Sequence, residues 1–109
     1  MRVLITGANG FVGSWLASFL AERRHDVRCL VREGSDRSAL AHPDVSIVSG
    51  DVTDPASLAA ALDGVEVCYH LAGIRRGTTR SDFMRVNAEG TRLLAEAMVQ
   101  MKARRLVLC

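Results

Sequence analysis

The stretch TGANGFVG, residues 6–13, sets three glycines three apart, at Gly7, Gly10 and Gly13, directly after the apolar run RVLI. An apolar strand, a glycine turn and a helix start together form a physical anion site. The first helical turn carries unpaired backbone N–H groups at the positive end of its dipole. A pyrophosphate reaches them only where no side chain stands in the way. Gly7 suits the sharp exit from a strand, and Gly10 the close approach of a phosphate. Gly13, already helical, suits tight packing against a sheet. The spacing is G-x-x-G-x-x-G rather than G-x-G-x-x-G, and with no Gly-Lys-Ser/Thr following it is not a P-loop. Three glycines can also make no more than a turn, and it is their place between a strand and a helix that argues for an anion.

A second set of chemically capable residues lies in CLVREGSDR, residues 29–37. A carboxylate at the end of a second strand would bind ribose hydroxyls and repel a 2′-phosphate. Here Arg32 follows the strand, with Ser35 and Arg37 close behind. Two guanidinium groups and a hydroxyl suit a phosphate monoester, which arginine grips bidentately. Glu33 could instead fold over a ribose, and surface arginines in an arginine-rich chain remain the alternative. His70 ends an apolar strand and reads as a packed core residue rather than an acid or base. Cys29, Cys68 and Cys109 form no C-x-x-C pair, which points to buried thiols rather than to a disulfide framework or a zinc site.

The elements that must hold these residues alternate. Strands are expected at 2–6, 26–32 and 45–50, within 65–73 where the strand runs into a glycine-containing loop, and at 104–109, apolar along their length. Helices are expected at 11–23, from Asp54-Pro55 to Gly64, and over 81–102, where Asn87, Thr91, Leu94, Met98 and Met101 share one side. One helical turn is expected near Ser38 to Ala41, and Arg24 or His25 stands where a helix usually ends on a left-handed glycine. Strands separated by helices describe a parallel sheet covered on both faces, and right-handed crossovers favour a doubly wound α/β order of 3-2-1-4-5.

Bulk composition is permissive. The 109 residues suit one domain, and 49% apolar with 24% charged is ordinary for a globular chain. The net charge of +2 is spread over thirteen arginines and Lys102, so no basic stripe suggests nucleic acid. The first apolar run is too short for a signal peptide and no stretch suits a membrane span, so a cytoplasmic chain is expected.

TGANGFVG resembles the N-terminal fingerprint of the extended short-chain dehydrogenase/reductase superfamily, the NAD(P)-dependent epimerase/dehydratase group. GDVTDPASL (50–58) is similar to that group's Gly-Asp-hydroxyl-Asp stretch after the third strand. HLAG (70–73) resembles its His-Leu-Ala-Ala after the fourth, and RVNAEGT (85–91) its Val-Asn-x-x-Gly-Thr in the fourth helix. The resemblance implies a Rossmann-type dinucleotide-binding domain over 1–109. It places Gly7, Asn9, Gly10, Phe11, Val12 and Gly13 at the pyrophosphate and Asp51 and Val52 at the adenine. Leu71, Ala72 and Gly73 fall under the nicotinamide ribose, and Asn87 at the loop that positions the active site. Arg32 and Arg37 make NADP the preferred cofactor over NAD.

The group's chemistry uses a tyrosine, a lysine four residues on, and a serine or threonine. Here Tyr69 has Gly73 four on, and Lys102 has Met98 four before, so the pair is absent. The catalytic serine normally follows the fifth strand. The expectation is therefore a cofactor-binding part, truncated in or after strand five. It would come from an epimerase, dehydratase or reductase acting on a nucleotide sugar or similar carbonyl/alcohol substrate, incomplete for catalysis as it stands. A non-catalytic dinucleotide-binding sensor is the alternative, and a non-functional remnant the third reading. A small-molecule substrate belongs only to a longer form, no nucleic acid or membrane partner is expected, and a homodimer is what the resemblance implies. An open fifth strand would also favour self-association.

Overall fold

A computed structural model describes residues 1–71 and 80–108. A five-stranded parallel sheet runs β3-β2-β1-β4-β5, the doubly wound order expected from the sequence. Its strands are β1 (Arg2–Thr6), β2 (Asp26–Val31), β3 (Val45–Ser49), β4 (Val67–His70) and β5 (Arg105–Leu108). Helices α1 (Phe11–Glu22), α2 (Pro55–Ala61), α3 (Arg80–Met84) and α4 (Gly90–Gln100) lie between them, with a 3-10 turn at Ser38–Leu40.

The period-2 alternation of each strand sorts the core into two layers. Val3, Ile5, Val27, Cys29 and Val31 pack with Ala17, Leu20 and Ala21 of α1 and with Leu40. Leu4, Leu30 and Cys68 face the other way, onto Leu58 and Leu62 at α2 and Leu94 and Met98 of α4. Leu4, Ile5, Leu58, Leu62 and Leu94 are fully buried, each worth roughly 1.5–3 kcal/mol of transfer free energy. Arg28 breaks the apolar run of β2 for a local reason. Its guanidinium donates to the carbonyls of Ala61 at 2.6 Å and Asp63 at 3.1 Å, closing the negative end of α2.

Several boundaries differ from expectation, while the left-handed end of the first helix is as expected. The second helix stops at Ala61 and β4 begins at Val67. Gly64 takes φ +73 and the Val65 N–H donates to the Leu62 carbonyl at 3.0 Å, so the residues between are held in a turn. The single long helix is three pieces: α3, a π-helical turn over Arg85–Glu89, and α4. The shared side survives this interruption, since Leu94 and Met98 are buried and Asn87, Thr91 and Met101 half-buried. At the end of α1, Arg24 takes the left-handed position, at φ +67. The His25 N–H closes on the Leu20 carbonyl at 3.2 Å, at a cost of about 1 kcal/mol relative to glycine.

Candidate functional site

All the loops in question leave the carboxyl ends of strands, around the point where β1 lies between β2 and β4. In doubly wound sheets ligands settle in the crevice at such a switch point. Gly7 leaves β1 at φ +70, and the Gly10 N–H donates to the Gly7 carbonyl at 3.2 Å. Gly10 is then the N-cap of α1, with no capping side chain and no acidic residue in the first turn. The positive helix end is left open to an anion.

The two later glycines serve different ends. A Cβ on Gly13 would lie 2.4 Å from the Gly7 carbonyl oxygen and 2.7 Å from Ala8 Cα. Gly13 is therefore packed against the turn itself, rather than against the sheet as expected. A Cβ on Gly10 would meet only the Gly7 carbonyl oxygen, at an ordinary 3.5 Å. Nothing in the chain's own packing demands glycine there, and the room above it is what an approaching phosphate needs. Phe11 and Val12 are exposed beside it.

Neighbouring loops converge on this turn. The Asn9 amide donates to the Asp36 carbonyl at 3.5 Å, tying the glycine turn to the loop after β2. In that loop Arg32 is exposed, Ser35 is half-buried, and the half-buried Arg37 donates to Ser49 Oγ at 2.8 Å. The Asp36 carboxylate accepts the Ser38 N–H, which holds its carboxyl below the usual range. After β3, Asp51 Oδ1 accepts from both the N–H and the hydroxyl of Thr53, each at 2.8 Å. The Ser57 hydroxyl donates to the Asp51 carbonyl at 2.9 Å and accepts the Asp51 N–H at 3.0 Å. Val52 is buried, and a Cβ on Gly90 would come within 2.8 Å of its Cγ2. Glycine at 90 is what lets α4 rest on the loop after β3.

At the end of β4, His70 is 5% exposed and both ring nitrogens are engaged. Nδ1 is 2.7 Å from Thr6 Oγ1 and Nε2 3.1 Å from Thr91 Oγ1. The Leu71 N–H donates to Thr6 Oγ1 at 3.1 Å, and the Thr91 hydroxyl to the Asn87 carbonyl at 2.7 Å. Burial pushes the His70 pKa down, which suits a neutral packed histidine. The structure thus gathers the glycine turn, Arg37, Asp51, Val52, Leu71 and Asn87 around one end of the sheet. Ala72 and Gly73 lie outside the described residues. Sequence reasoning missed Thr6, Ser57 and Thr91 as parts of the site. The hydroxyls beside Gly7 and Gly90, within motifs already singled out, were the available signal.

Cys29 and Cys68 are buried, and burial raises both thiols to about 12, so neither is a nucleophile at neutral pH. Among the described residues no group of three or more His, Cys, Asp or Glu could hold a metal ion. No helix among them is long and apolar enough to cross a membrane.

The profile of the NAD dependent epimerase/dehydratase family matches residues 3–109. A 3-beta-hydroxysteroid dehydrogenase of Mycolicibacterium neoaurum is 39% identical over 114 aligned positions, covering 97% of this chain and 31% of that protein. A ceramide reductase of Caulobacter vibrioides is 39% identical over 95 positions, covering 87% of this chain and 30% of its own. Among solved structures, the dTDP-glucose 4,6-dehydratase DesIV of Streptomyces venezuelae with NAD bound superposes at a TM-score of 0.85. It is 29% identical over 97% of this chain and 38% of that one. The chain spans about a third of the length of the relatives it matches.

Proposed function

This chain belongs to the NAD dependent epimerase/dehydratase family, and from that premise we propose that residues 1–109 are the dinucleotide-binding part of a dehydrogenase or reductase. The observation that carries the reading is the uncapped N-terminus of α1 beneath an open Gly10, at the switch point of the sheet. Gly7, Asn9, Gly10, Phe11, Val12 and Gly13 surround the pyrophosphate. Asp51 and Val52 bound the adenine, with the Asp51 loop stiffened by Thr53 and Ser57. Leu71, with Ala72 and Gly73 following it in sequence, lies toward the nicotinamide ribose. Asn87 lies toward the loop that positions the reacting groups. When bound, the nicotinamide supplies the hydride donor or acceptor.

Arg32 and Arg37, with Ser35, favour a 2′-phosphate and hence NADP. Arg37 is held in place by Ser49, which lowers the entropy lost on gripping a phosphate. The substrate favoured by the relatives with 39% identity is a secondary alcohol or ketone on a steroid-like or sphingolipid-like body. A nucleotide sugar rests on the less similar dehydratase. The proton-transfer pair is absent from these residues, so they bind and orient the cofactor without completing the reaction.

Titration of the chain with NADPH and NADH tests the proposal, with Trp15, one turn into α1 and the sole tryptophan, as fluorescent reporter. Saturable binding of at least one dinucleotide is expected, with NADPH tighter and Arg37→Gln narrowing the gap. Absence of binding to either would overturn it.

A further inference from the structure

The hydrogen bonds around His70 have a direction that can be worked out. The Thr91 hydroxyl has one proton and gives it to the Asn87 carbonyl at 2.7 Å. Its oxygen can then only accept from the imidazole, so Nε2 carries the ring proton. Nδ1 is left bare and accepts from the Thr6 hydroxyl at 2.7 Å, while the Leu71 N–H is shared between Thr6 Oγ1 and the Thr6 carbonyl, each at 3.1 Å. A continuous chain therefore runs Leu71, Thr6, His70, Thr91, Asn87, through a ring that is 5% exposed.

Each end of that chain meets the proposed cofactor site. Thr6 is the last residue before Gly7, and Leu71 the first after β4. Asn87 lies in the π-helical turn, and its carbonyl accepts the Thr91 hydroxyl from the first turn of α4. One residue before Thr91, Gly90 seats α4 on Val52. The loops after β1, β3 and β4 thus all bear on residues 87–91, and two of the three are joined there through one imidazole.

We infer that Thr6, His70 in its Nε2–H tautomer and Thr91 form a positioning strut that fixes the glycine turn, Leu71 and the π-helical turn relative to one another. It is a set of positioning residues for dinucleotide binding and touches no phosphate or nicotinamide itself. The inference rests on the cofactor reading above for its effect on affinity, while the strut stands apart from it.

Thr91→Val and Thr91→Ser test it, measured beside Val65→Ala, which thins the buried core in the turn before β4. Thr91→Val is expected to weaken NADPH binding about tenfold and to speed hydrogen exchange at the Leu71 amide, while Thr91→Ser restores both. Val65→Ala is expected to lower the thermal midpoint and leave the affinity of the folded chain unchanged, which separates positioning from stability. Nitrogen-15 spectra of His70 in the cofactor-free chain are expected to show a protonated Nε2 and a bare Nδ1. An Nδ1–H tautomer, or Thr91→Val with wild-type affinity and wild-type Leu71 exchange, would overturn the inference. A wild-type chain that binds neither NADPH nor NADH would sink the cofactor reading instead, and the tautomer and the Leu71 amide would still decide whether the strut exists.

Discussion

The glycine turn after β1 and the histidine chain after β4 are neighbours that treat polar groups in opposite ways. At the turn, α1 starts with no capping side chain, open backbone donors, and Phe11 and Val12 exposed. At His70 both ring nitrogens are bonded, and among the described residues no buried side-chain nitrogen or oxygen lacks a partner. One region leaves backbone donors uncapped and the other satisfies its polar groups within the chain. A binding site needs both, since open donors select an anion only if their positions are already fixed.

Gly13→Ala gives the largest expected effect on this contrast. Its Cβ falls within 3 Å of backbone atoms of Gly7 and Ala8, and backbone cannot rotate away. We expect a loss of about 3 kcal/mol in urea unfolding together with loss of dinucleotide binding. Thr6→Val comes next, because it keeps the shape and deletes the hydroxyl between His70 Nδ1 and the Leu71 N–H. About 2 kcal/mol is expected from the His70 Nδ1 left without its donor, the Leu71 N–H keeping its bond to the Thr6 carbonyl, read by the same unfolding experiment. A near-neutral result would mean that the chain is not tightly closed there.

Acid gives a smaller effect. The His70 pKa is lowered by burial from its ordinary 6.5, so below pH 6.5 the unfolded chain binds the proton that the folded one refuses. Stability from this group is complete above 6.5 and declines as the pH falls below it. Glu89 and Asp36, also held low, contribute losses only below their ordinary 4.5 and 3.8. A His70→Gln variant should show a flatter profile between pH 6.5 and 4.5, and an unchanged slope would count against a neutral buried ring. The smallest stability change belongs to Gly10→Ala, whose Cβ has ordinary space and whose φ of −81 suits any residue. A shift within about 0.5 kcal/mol is expected, yet with NADPH affinity reduced at least tenfold. Equal damage from Gly10→Ala and Gly13→Ala would erase the distinction between a glycine kept for packing and one kept for a ligand.

These differences also explain what the sequence made legible. Strand order, the glycine turn and the left-handed Arg24 follow from local signals: apolar runs, fixed offsets and a helix that must end. The His70 strut joins residues 64 apart on one side and 21 apart on the other, and no window along the chain contains it. The π-helical turn was invisible for a related reason. Its apolar side stays in register across residues 81–102, so periodicity reads one helix where hydrogen bonding makes three pieces. Gly13 was correctly singled out but given the wrong neighbour, because its spacing shows that something packs close without showing which backbone does so.

The two buried thiols can serve as clocks. Cys29 lies in the layer beneath α1 and Cys68 in the layer beneath α2 and α4. With both raised to about 12, only about one thiol in 10⁵ is ionised at pH 7. Alkylation of either must therefore wait for the layer above it to lift, so the two labelling rates time the opening of each face of the sheet separately. A dinucleotide that clamps the β1–β4 crevice should slow both clocks, and the ratio of the two delays would show which side of the sheet the ligand braces more firmly.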